Sequence, residues 1–298
     1  MSKLESTFVT SATCKVLKFP RNFQFKILCD STAEAIQIHY NYLPCNAWIL
    51  DGGQVVNLAL VEYSTATFAS KSSYLFGSIG FNIKLAPGYS AGTVTTFFLA
   101  SSGDAHDELD FEFLGNVSGQ PYSLQTNVFA HGVGNREQRI NLWFDPTAEF
   151  HSYTLRWTRE LITFFVDDTP IRVFRNNEAI GVPYLNSQPM PILAAVWDGS
   201  IWATQGGKYP IDWAYQPFVA SYQGFGVDGC LVANNDISYC AAGPVDAWWN
   251  AQHYQYLTPE QITTLKYVQR NYVYYDYCND KVRYPIVPPE CFKNWYGS

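Results

Sequence analysis

Between about residue 20 and residue 225, the sequence is a succession of short apolar or alternating runs separated by turn residues. The runs, such as QVVNLALVEY, GTVTTFFLA and LITFFV, are rich in Val, Ile, Thr and aromatic residues, which favour β-strands. Gly residues and pairs such as Asp-Pro and Asn-Asn stand between them, as is typical of turns. Many short strands with no helices between them predict an all-β fold, namely an antiparallel sandwich, barrel or jelly roll.

After about residue 225 the pattern changes, and LTPEQITTLKYVQRN predicts a helix. Thr258 is a suitable N-cap, Pro259 occupies the first helical position, and Gln261 completes a capping box. The apolar stripe of this segment is formed by Ile262, Leu265 and Val268. We therefore expect the helix to lie against the sandwich, and the following YVYYDYC to form a strand.

The composition limits the kinds of molecule that the protein is expected to bind. Of the 298 residues, 47% are hydrophobic and 15% are charged, which favours a folded chain with a full core. No run of about 18 apolar residues predicts a membrane span, and a net charge of −7 disfavours nucleic acid or an anionic membrane as partner. Aromatic residues reach 17%; their rings can stack on sugar C–H faces, although most are expected in the core.

The seven cysteines fall into two groups. The C-terminal group consists of Cys230, Cys240, Cys278 and Cys291, and the N-terminal group of Cys14, Cys29 and Cys45. Four cysteines in a loop-rich tail predict two disulfides in an oxidising compartment. Close spacing favours Cys230–Cys240 and Cys278–Cys291, although spacing alone does not fix connectivity. The odd total leaves at least one thiol free or paired between chains. A zinc site is disfavoured because no C-x-x-C pair occurs and the histidines are scattered.

The first 20 residues, MSKLESTFVTSATCKVLKFP, lack the apolar stretch of a signal peptide. Either the chain is intracellular, or a leader has been removed or replaced. The tail cysteines favour the second explanation.

The segment HDELDFEFLGN places acidic and apolar residues in strict alternation. In a strand, alternate side chains point to opposite faces. The apolar residues Leu109, Phe111 and Phe113 would enter the core, and the acidic residues Glu108, Asp110 and Glu112 would line the other face. We call these three acids the acid ladder. Like charges on one face repel, so the arrangement indicates a chemical use.

Breaking a glycosidic bond requires two carboxyl groups in different protonation states. A third acid between them can keep one neighbour ionised by hydrogen bonding, while its charge raises the pKa of the other. Glu108 and Glu112 are separated by roughly 13 Å along an extended backbone, whereas a retaining mechanism needs carboxyl groups about 5–5.5 Å apart. Only long side chains leaning together on a concave strand would close this gap. The competing interpretation is a solvated acidic face that binds calcium, although a D-x-D-x-D-G loop is absent.

The same segment resembles the active-site motif of glycoside hydrolase family 16, and in particular its plant branch, the xyloglucan endotransglucosylase/hydrolases. SAGTVTTFFLAS, WATQGGKYPIDW and the tail YDYCNDKVRYPIVPPEC are also similar to family segments, in family order. The resemblance covers roughly residues 55 to 295, and residues 1–50 match poorly. It implies a curved antiparallel β-sandwich of the jelly-roll, concanavalin-like type with an open groove. We expect a catalytic domain over residues 1–225 and a docked C-terminal extension, carrying one helix and disulfides, over residues 226–298.

The resemblance further implies a retaining mechanism with no metal or organic cofactor. By their positions in the motif, Glu108 would be the nucleophile, Glu112 the acid/base and Asp110 the helper between them. The donor would be a polysaccharide, and the acceptor an oligosaccharide or polysaccharide hydroxyl in place of water. A secreted monomer of the cell wall is expected, with no nucleic-acid or membrane partner.

Other residues match family positions that contact sugars. These are Gln125, Asn127, Glu137, Arg139, Trp197, Trp202, Gly206 and Arg283. Alternate spacing independently places Gln125 and Asn127 on one face of a strand. His106 is expected to orient its neighbours and His151 to be structural. Asn116 begins an Asn-Val-Ser glycosylation sequon.

The chain also departs from the family pattern. STATF at residues 64–68 replaces the usual SGSGF, Phe98 stands where tyrosine is common, and Gln205 stands where arginine is common. These changes lie in segments that are expected to form the groove walls. The sequence therefore does not determine which glucan is the substrate. Two alternatives follow: a glucan hydrolase of the same fold that uses water, and a lectin-like sandwich that binds glucan without cutting it.

Overall fold

The computed structural model describes residues 36–41 and 46–292, and for Ile36–Asn41 it describes the backbone alone. The N-terminal cysteines Cys14, Cys29 and Cys45 lie outside the described residues, so their pairing stays open.

The described residues form fourteen strands joined into antiparallel pairs. The strands are β1 (Ile36–Asn41), β2 (Ala47–Leu50), β3 (Val55–Leu60), β4 (Thr65–Lys84), β5 (Thr93–Ala100), β6 (Glu108–Leu114), β7 (Ser123–Phe129), β8 (Gln138–Asn141), β9 (His151–Trp157), β10 (Leu161–Val166), β11 (Thr169–Arg175), β12 (Met190–Asp198), β13 (Phe218–Val232) and β14 (Val273–Asp276). The helices are α1 (Ser238–Ala242) and α2 (Pro259–Asn271), with short 3₁₀ turns between elements. None of the helices in the described ranges has the length and apolar character needed to cross a membrane.

Strand β4 belongs to both layers of the sandwich. Its first half pairs with β1 and β12, and its second half pairs with β9. The front layer therefore runs β1-β4-β12-β5-β6-β7-β8-β14, and the back layer contains β2, β3, β13, the rest of β4, β9, β10 and β11. The transition occurs at Phe76 and Gly77, which have φ of 67° and 137°. A Cβ on Gly77 would lie 2.4 Å from the Cα of Gly229, so only glycine fits this close approach.

Aromatic rings from the two layers meet in the core. Phe111 of β6 lies 5.2 Å from Phe164 of β10, and Phe113 of β6 lies 4.7 Å from Tyr153 of β9, each measured between ring centroids. Both pairs have edge-to-face geometry, which is favourable for aromatic rings. The antiparallel sandwich predicted from the sequence is confirmed, and β6 lies in the middle of its front layer.

The C-terminal segment is attached to both layers. The expected domain boundary at 225/226 falls inside β13, which continues in the sheet to Val232. Helix α2 has the predicted capping box, with Thr258 and Gln261 exchanging hydrogen bonds of 3.1 and 3.2 Å. Its buried Leu265 packs with Leu161 and Val173 of the back layer. Strand β14 then joins the edge of the front layer beside β8.

Both disulfides favoured by spacing are present. Cys230–Cys240 ties β13 to α1, and Cys278–Cys291 closes the loop that follows β14. The second disulfide therefore lies beside the front layer, which carries the acid ladder.

Candidate active site

The acid ladder lies on the open face of the front layer. The alternating apolar residues of β6 are fully buried beneath it, as the period of a strand requires. Asp110 is 4% exposed, and Glu108 and Glu112 are partly exposed. Strand β6 pairs with β5 on one side and β7 on the other, so the three acids occupy the middle of this face.

Two pockets meet at the acid ladder, and all three acids line both of them. The first, which we call the β7–β8 pocket, has a volume of about 260 Å³ and is otherwise lined by Gln125, Asn127, Phe129, Glu137, Arg139 and Trp202. The second, the β4–β12 pocket, has a volume of about 320 Å³ and is otherwise lined by Thr65, Thr67, Thr96, Phe98, Ala195 and Trp197. The acids therefore stand at the centre of a groove that crosses the strands. One arm of the groove is strongly polar and the other carries small and aromatic side chains.

The surroundings of Asp110 favour its neutral form. Burial raises the pKa of Asp110 well above its ordinary value, and the charges of Glu108 and Glu112 raise it further. A hydrogen bond to Glu108 acts in the same direction, because it requires a proton on Asp110 when Glu108 is ionised. The buried guanidinium of Arg172 only partly opposes these effects. Asp110 can therefore donate to a Glu108 carboxylate.

Glu112 is suited to hold a proton near neutral pH. Burial raises the pKa of Glu112 to about 7, and the charges of Glu108 and Glu137 add to this effect. Gln125 and Arg139 favour the charged form and oppose it. The sequence analysis assigned the rise in pKa to the charge of Asp110, and this was wrong. Burial is the largest cause, and the charges that add to it are those of Glu108 and Glu137.

A hydrogen-bond relay fixes the side chain of Gln125. Nε of Arg139 donates to Oε1 of Gln125 at 2.8 Å, and Nε2 of Gln125 donates to Oε2 of Glu112 at 2.6 Å. Because a guanidinium can only donate, it determines which end of the amide faces it. Arg139 thereby turns the donor end of Gln125 toward Glu112.

Asn127 lies directly opposite Asp110 on the neighbouring strand. Its Oδ1 accepts hydrogen bonds from two backbone N–H groups, those of Val128 at 2.9 Å and Arg136 at 3.0 Å. The amide nitrogen is therefore turned into the β7–β8 pocket as a donor. The spacing of Gln125 and Asn127 predicted their shared face, and both line this pocket.

Glu137 connects the pocket to the C-terminal extension. It pairs with Arg283 at 2.8 Å, and Arg283 also donates to Oδ1 of Asn135 at 2.5 Å. The side chain of Arg283 is 39% exposed and reaches the pocket through Glu137. The structure thus brings these two sequence-predicted residues together at the rim of the groove.

Each of the two pockets is lined by one tryptophan. The rings of Trp197 and Trp202 are 5.9 Å apart and tilted by 41°, and they pack on Val94 and Leu114. Trp197 lines the β4–β12 pocket and Trp202 the β7–β8 pocket. Gly206, with φ of 71°, sits in the turn that carries Trp202 but lines neither pocket.

The two histidines singled out in the sequence occupy different places. Nε2 of His106 lies 3.5 Å from Oε2 of Glu108, and its ring stacks on Phe129, a position from which it can orient Glu108. His151 belongs to β9 of the back layer and bonds Asp167 at 2.6 Å. It therefore lies far from the acid ladder in the sequence and in the opposite layer of the sandwich.

Asn116 lies just beyond the end of β6, four residues after Glu112. Its Nδ2, the atom that would carry a glycan, donates to the carbonyl of Pro121 at 3.0 Å. Gly115 before it cannot be replaced without rearrangement, because a Cβ there would lie 1.9 Å from the carbonyl oxygen of Ser90. Glycosylation of Asn116 stays a prediction.

Some residues that shape the site were missed by the sequence analysis. They are Thr96 and Ala195 in the β4–β12 pocket, beside Thr65 and Thr67 of the STATF segment already expected at the groove wall, and Arg136, Arg172 and Glu290 behind the front layer. The threonines alternate within strands, so their shared face was open to prediction. The buried charged residues show no such sequence pattern, because their charged or backbone partners include residues far away in the chain. In the ranges that the structure describes, no group of three or more His, Cys, Asp and Glu residues could hold a metal ion.

Two family models match the chain. Glycosyl hydrolases family 16 matches residues 39–215, and the xyloglucan endo-transglycosylase (XET) C-terminus matches residues 243–291. Among curated proteins, probable xyloglucan endotransglucosylase/hydrolase protein 5 of Arabidopsis thaliana is 50% identical over 255 residues, covering 84% of this chain and 86% of the relative. Xyloglucan endotransglucosylase protein 2 of Diospyros kaki is 50% identical over 257 residues, with the same two coverages of 84% and 86%.

Solved structures share the fold at lower identity. A β-glucanase of Bacillus licheniformis superposes with a TM-score of 0.53 at 24% identity, covering 65% of this chain and 92% of that one. The apo Crh5 transglycosylase superposes with a TM-score of 0.54 at 22% identity, covering 76% and 87%. These likenesses confirm the jelly-roll architecture. Together with the family models and the 50% identical relatives, they show that the chain belongs to glycosyl hydrolases family 16 and, within it, to the xyloglucan endotransglucosylase/hydrolases, which are glycosyltransferring glycosidases.

Proposed function

We propose that the protein is a retaining endo-transglycosylase that cuts a β-1,4-glucan backbone, with xyloglucan as donor, and joins the fragment to a sugar 4-hydroxyl. The observation that carries this proposal is the arrangement of three acids in one groove, in which Asp110 hydrogen-bonds Glu108 on one side and Glu112 on the other side has a raised pKa. Asp110, whose pKa is raised well above its ordinary value by burial, hydrogen-bonds Glu108, whereas burial raises the pKa of Glu112 to about 7. Two acids in different protonation states are what glycosidic bond cleavage requires.

In the first half-reaction, the Glu108 carboxylate attacks the anomeric carbon of the donor. The bond from that carbon to the leaving 4-oxygen breaks, and Glu112 gives its proton to this oxygen. The hydrogen bond from Asp110 holds the attacking carboxylate of Glu108 in place until attack. The products are a glycosyl-enzyme ester and a free chain end.

In the second half-reaction, an acceptor 4-hydroxyl approaches the anomeric carbon. Glu112, now a carboxylate, removes the hydroxyl proton as the new glycosidic bond forms and the ester to Glu108 breaks. Both acids return to their starting states. Since Gln125 donates to Glu112 at 2.6 Å, the carboxylate form of Glu112 is stabilised between the two steps.

We assign the β7–β8 pocket to the acceptor and the β4–β12 pocket to the donor. The β7–β8 pocket carries hydrogen-bonding groups from Gln125, Asn127, Glu137 and Arg139, which suit the hydroxyls of an incoming sugar. The β4–β12 pocket combines threonines with Phe98 and Trp197, which suits a chain bound over apolar sugar faces. The acceptor must compete with water for reaction with the glycosyl-enzyme ester. A pocket with hydrogen-bonding groups beside that ester favours binding of the acceptor sugar.

A hydrolase that uses water as acceptor is the second candidate, since the name of the first relative includes both activities. A lectin-like binder is disfavoured, because binding alone gives no reason to crowd three acids on one face and to bury Asp110 among them. We place the enzyme outside the cell, in the cell wall, because two disulfides suit an oxidising compartment.

One assay with two readouts tests the proposal. The protein is incubated with xyloglucan or mixed-linkage glucan and a labelled xyloglucan oligosaccharide, with Glu108→Ala as the blank. Label moving into polymer without new reducing ends is expected. New reducing ends with little label transfer would make the protein a hydrolase, and full activity of Glu108→Ala would refute the assignment of the nucleophile.

Proton NMR of the first reducing ends formed in any hydrolysis should show the β-anomer, and the α-anomer would exclude retention.

A further inference from the structure

A buried ion pair lies behind the polar arm of the groove. Nε of Arg136 donates to Oε1 of Glu290 at 2.7 Å, and the two side chains are 8% and 3% exposed. Removing one partner of such a pair leaves a charge in an apolar environment. The pair connects the turn between β7 and β8 to the last residues that the structure describes.

Arg136 is anchored through both its side chain and its backbone. Its Nη1 donates to the carbonyls of Val128 and Val133, which close the turn between β7 and β8. Its own carbonyl accepts from Nη2 of the buried Arg172 at 2.5 Å. These bonds leave the main chain at Arg136 little freedom.

The backbone N–H of Arg136 reaches the active site. It donates to Oδ1 of Asn127 at 3.0 Å, and this bond turns the amide nitrogen of Asn127 into the β7–β8 pocket. If the backbone at Arg136 moved, Asn127 would lose one of the two donors that orient it. A flipped amide would then present its oxygen to the acid ladder, where repulsion with carboxylates is unfavourable.

Glu290 is itself fixed by the C-terminal extension. It precedes Cys291, which is bonded to Cys278, and the hydroxyl of the buried Tyr277 donates to the same Oε1 at 3.4 Å. The loop closed by this disulfide also contains Arg283, which pairs with Glu137. The extension therefore reaches the turn between β7 and β8 from behind through Glu290 and from the rim through Arg283.

We propose that Glu290 and Arg136 are positioning residues for the acceptor pocket, through which the C-terminal extension holds the amide of Asn127 in its donor orientation. The use of this pocket by an acceptor rests on the proposed function, whereas the coupling of Glu290 to Asn127 does not.

Amide hydrogen exchange tests the coupling without any substrate. The exchange of the Arg136 amide is followed by NMR in the parent, in Glu290→Gln, and in Glu260→Gln, a control that removes an exposed carboxyl on α2. We expect the Arg136 amide to exchange about tenfold faster in Glu290→Gln and at the parent rate in the control. Unchanged exchange in Glu290→Gln would overturn the proposal. If that variant fails to fold, Arg136→Lys, which keeps the buried charge but loses the planar fork, takes its place.

A double-mutant cycle tests whether the coupling acts through Asn127. Glu290→Gln should lower kcat/KM for the acceptor about tenfold in the parent, because a small displacement of a positioned group costs part of the roughly hundredfold loss that a misplacement of about 1 Å can bring. In an Asn127→Ala background, the same substitution should change kcat/KM by less than twofold. Independent, multiplicative effects would show a merely structural ion pair and overturn the proposal. A parent with neither transfer nor hydrolysis would refute the proposed function, and the exchange experiment would still decide the coupling.

Discussion

The amide nitrogen of Gln125 donates a 2.6 Å hydrogen bond to Oε2 of Glu112, and this bond works against the effect of burial on the same carboxyl. Burial favours the protonated acid that cleaves the donor, and the hydrogen bond favours the carboxylate that activates the acceptor. A residue that must act first as acid and then as base needs a pKa near the working pH, so that both its protonated form and its ionised form are accessible. The pKa of Glu112, raised to about 7, meets this requirement.

Replacing Gln125 by Met should move the basic limb of the pH–rate profile upward. The change removes the donor without opening a cavity, so the pKa of Glu112 rises above its present value of about 7. A hydrogen bond to a charged group is worth roughly 1.5–3 kcal/mol, so a movement on the order of one pH unit is expected. The measurement is kcat/KM against pH, with exposed Gln120→Met as control. A limb that stayed in place or moved to lower pH would contradict the role assigned to the amide.

Replacing Glu112 by Gln should stabilise the fold at high pH more than at low pH. Because the folded pKa of Glu112 is raised from 4.5 to about 7, its contribution to stability is fully present below pH 4.5 and is lost as the pH rises through 7. At 1.36 kcal/mol per pH unit, the loss is roughly 3 kcal/mol, and the variant escapes it. Urea unfolding at pH 4 and pH 8 measures the difference. The exposed Asp246→Asn should show no such change between the two pH values. An equal effect of Glu112→Gln at both pH values would argue against a raised pKa.

Replacing Arg283 by Ala should weaken acceptor binding with little effect on folding. The pair with Glu137 is partly exposed, so its loss should cost at most about 1 kcal/mol of stability. Glu137 at the rim of the β7–β8 pocket loses its partner, and the acceptor KM should rise about tenfold, or 1.4 kcal/mol. Lys281→Ala removes a neighbouring exposed cation and is the matched control. The arginine would have no part in acceptor binding if both variants gave the parent KM.

Local patterns were sufficient to predict the parts of the fold that are set by sequence neighbours. The alternation in β6 follows from the two-residue period of a strand, and the start of α2 follows from Thr258 and Gln261, which lie three residues apart. The shared face of Gln125 and Asn127 follows from the same period. In each case the determining interactions are local in sequence.

The electrostatics of the site could not be predicted in this way. The buried Arg136 meets Glu290 across 154 positions of the chain, and Arg283 meets Glu137 across 146. Burial, which is the largest cause of the raised pKa of Glu112, depends on how neighbouring strands pack around that residue. The assignment of this effect to Asp110 failed because residue spacing gives proximity and not solvent exclusion.

Replacing both Cys278 and Cys291 by Ser should impair acceptor binding as well as stability. The disulfide closes a loop with a sequence separation of 13, so its loss should lower the free energy of unfolding by about 3 kcal/mol. The loop contains both Arg283 and Glu290, so both links to the β7–β8 turn loosen, and the acceptor KM should rise. Replacing Cys230 and Cys240 by Ser is the matched control, because that disulfide has a similar separation of 10 and ties β13 of the back layer to α1. The control should lose a comparable amount of stability with the acceptor KM unchanged. If the control raised the acceptor KM equally, the effect would reflect general loosening of the sandwich and not the path through the extension.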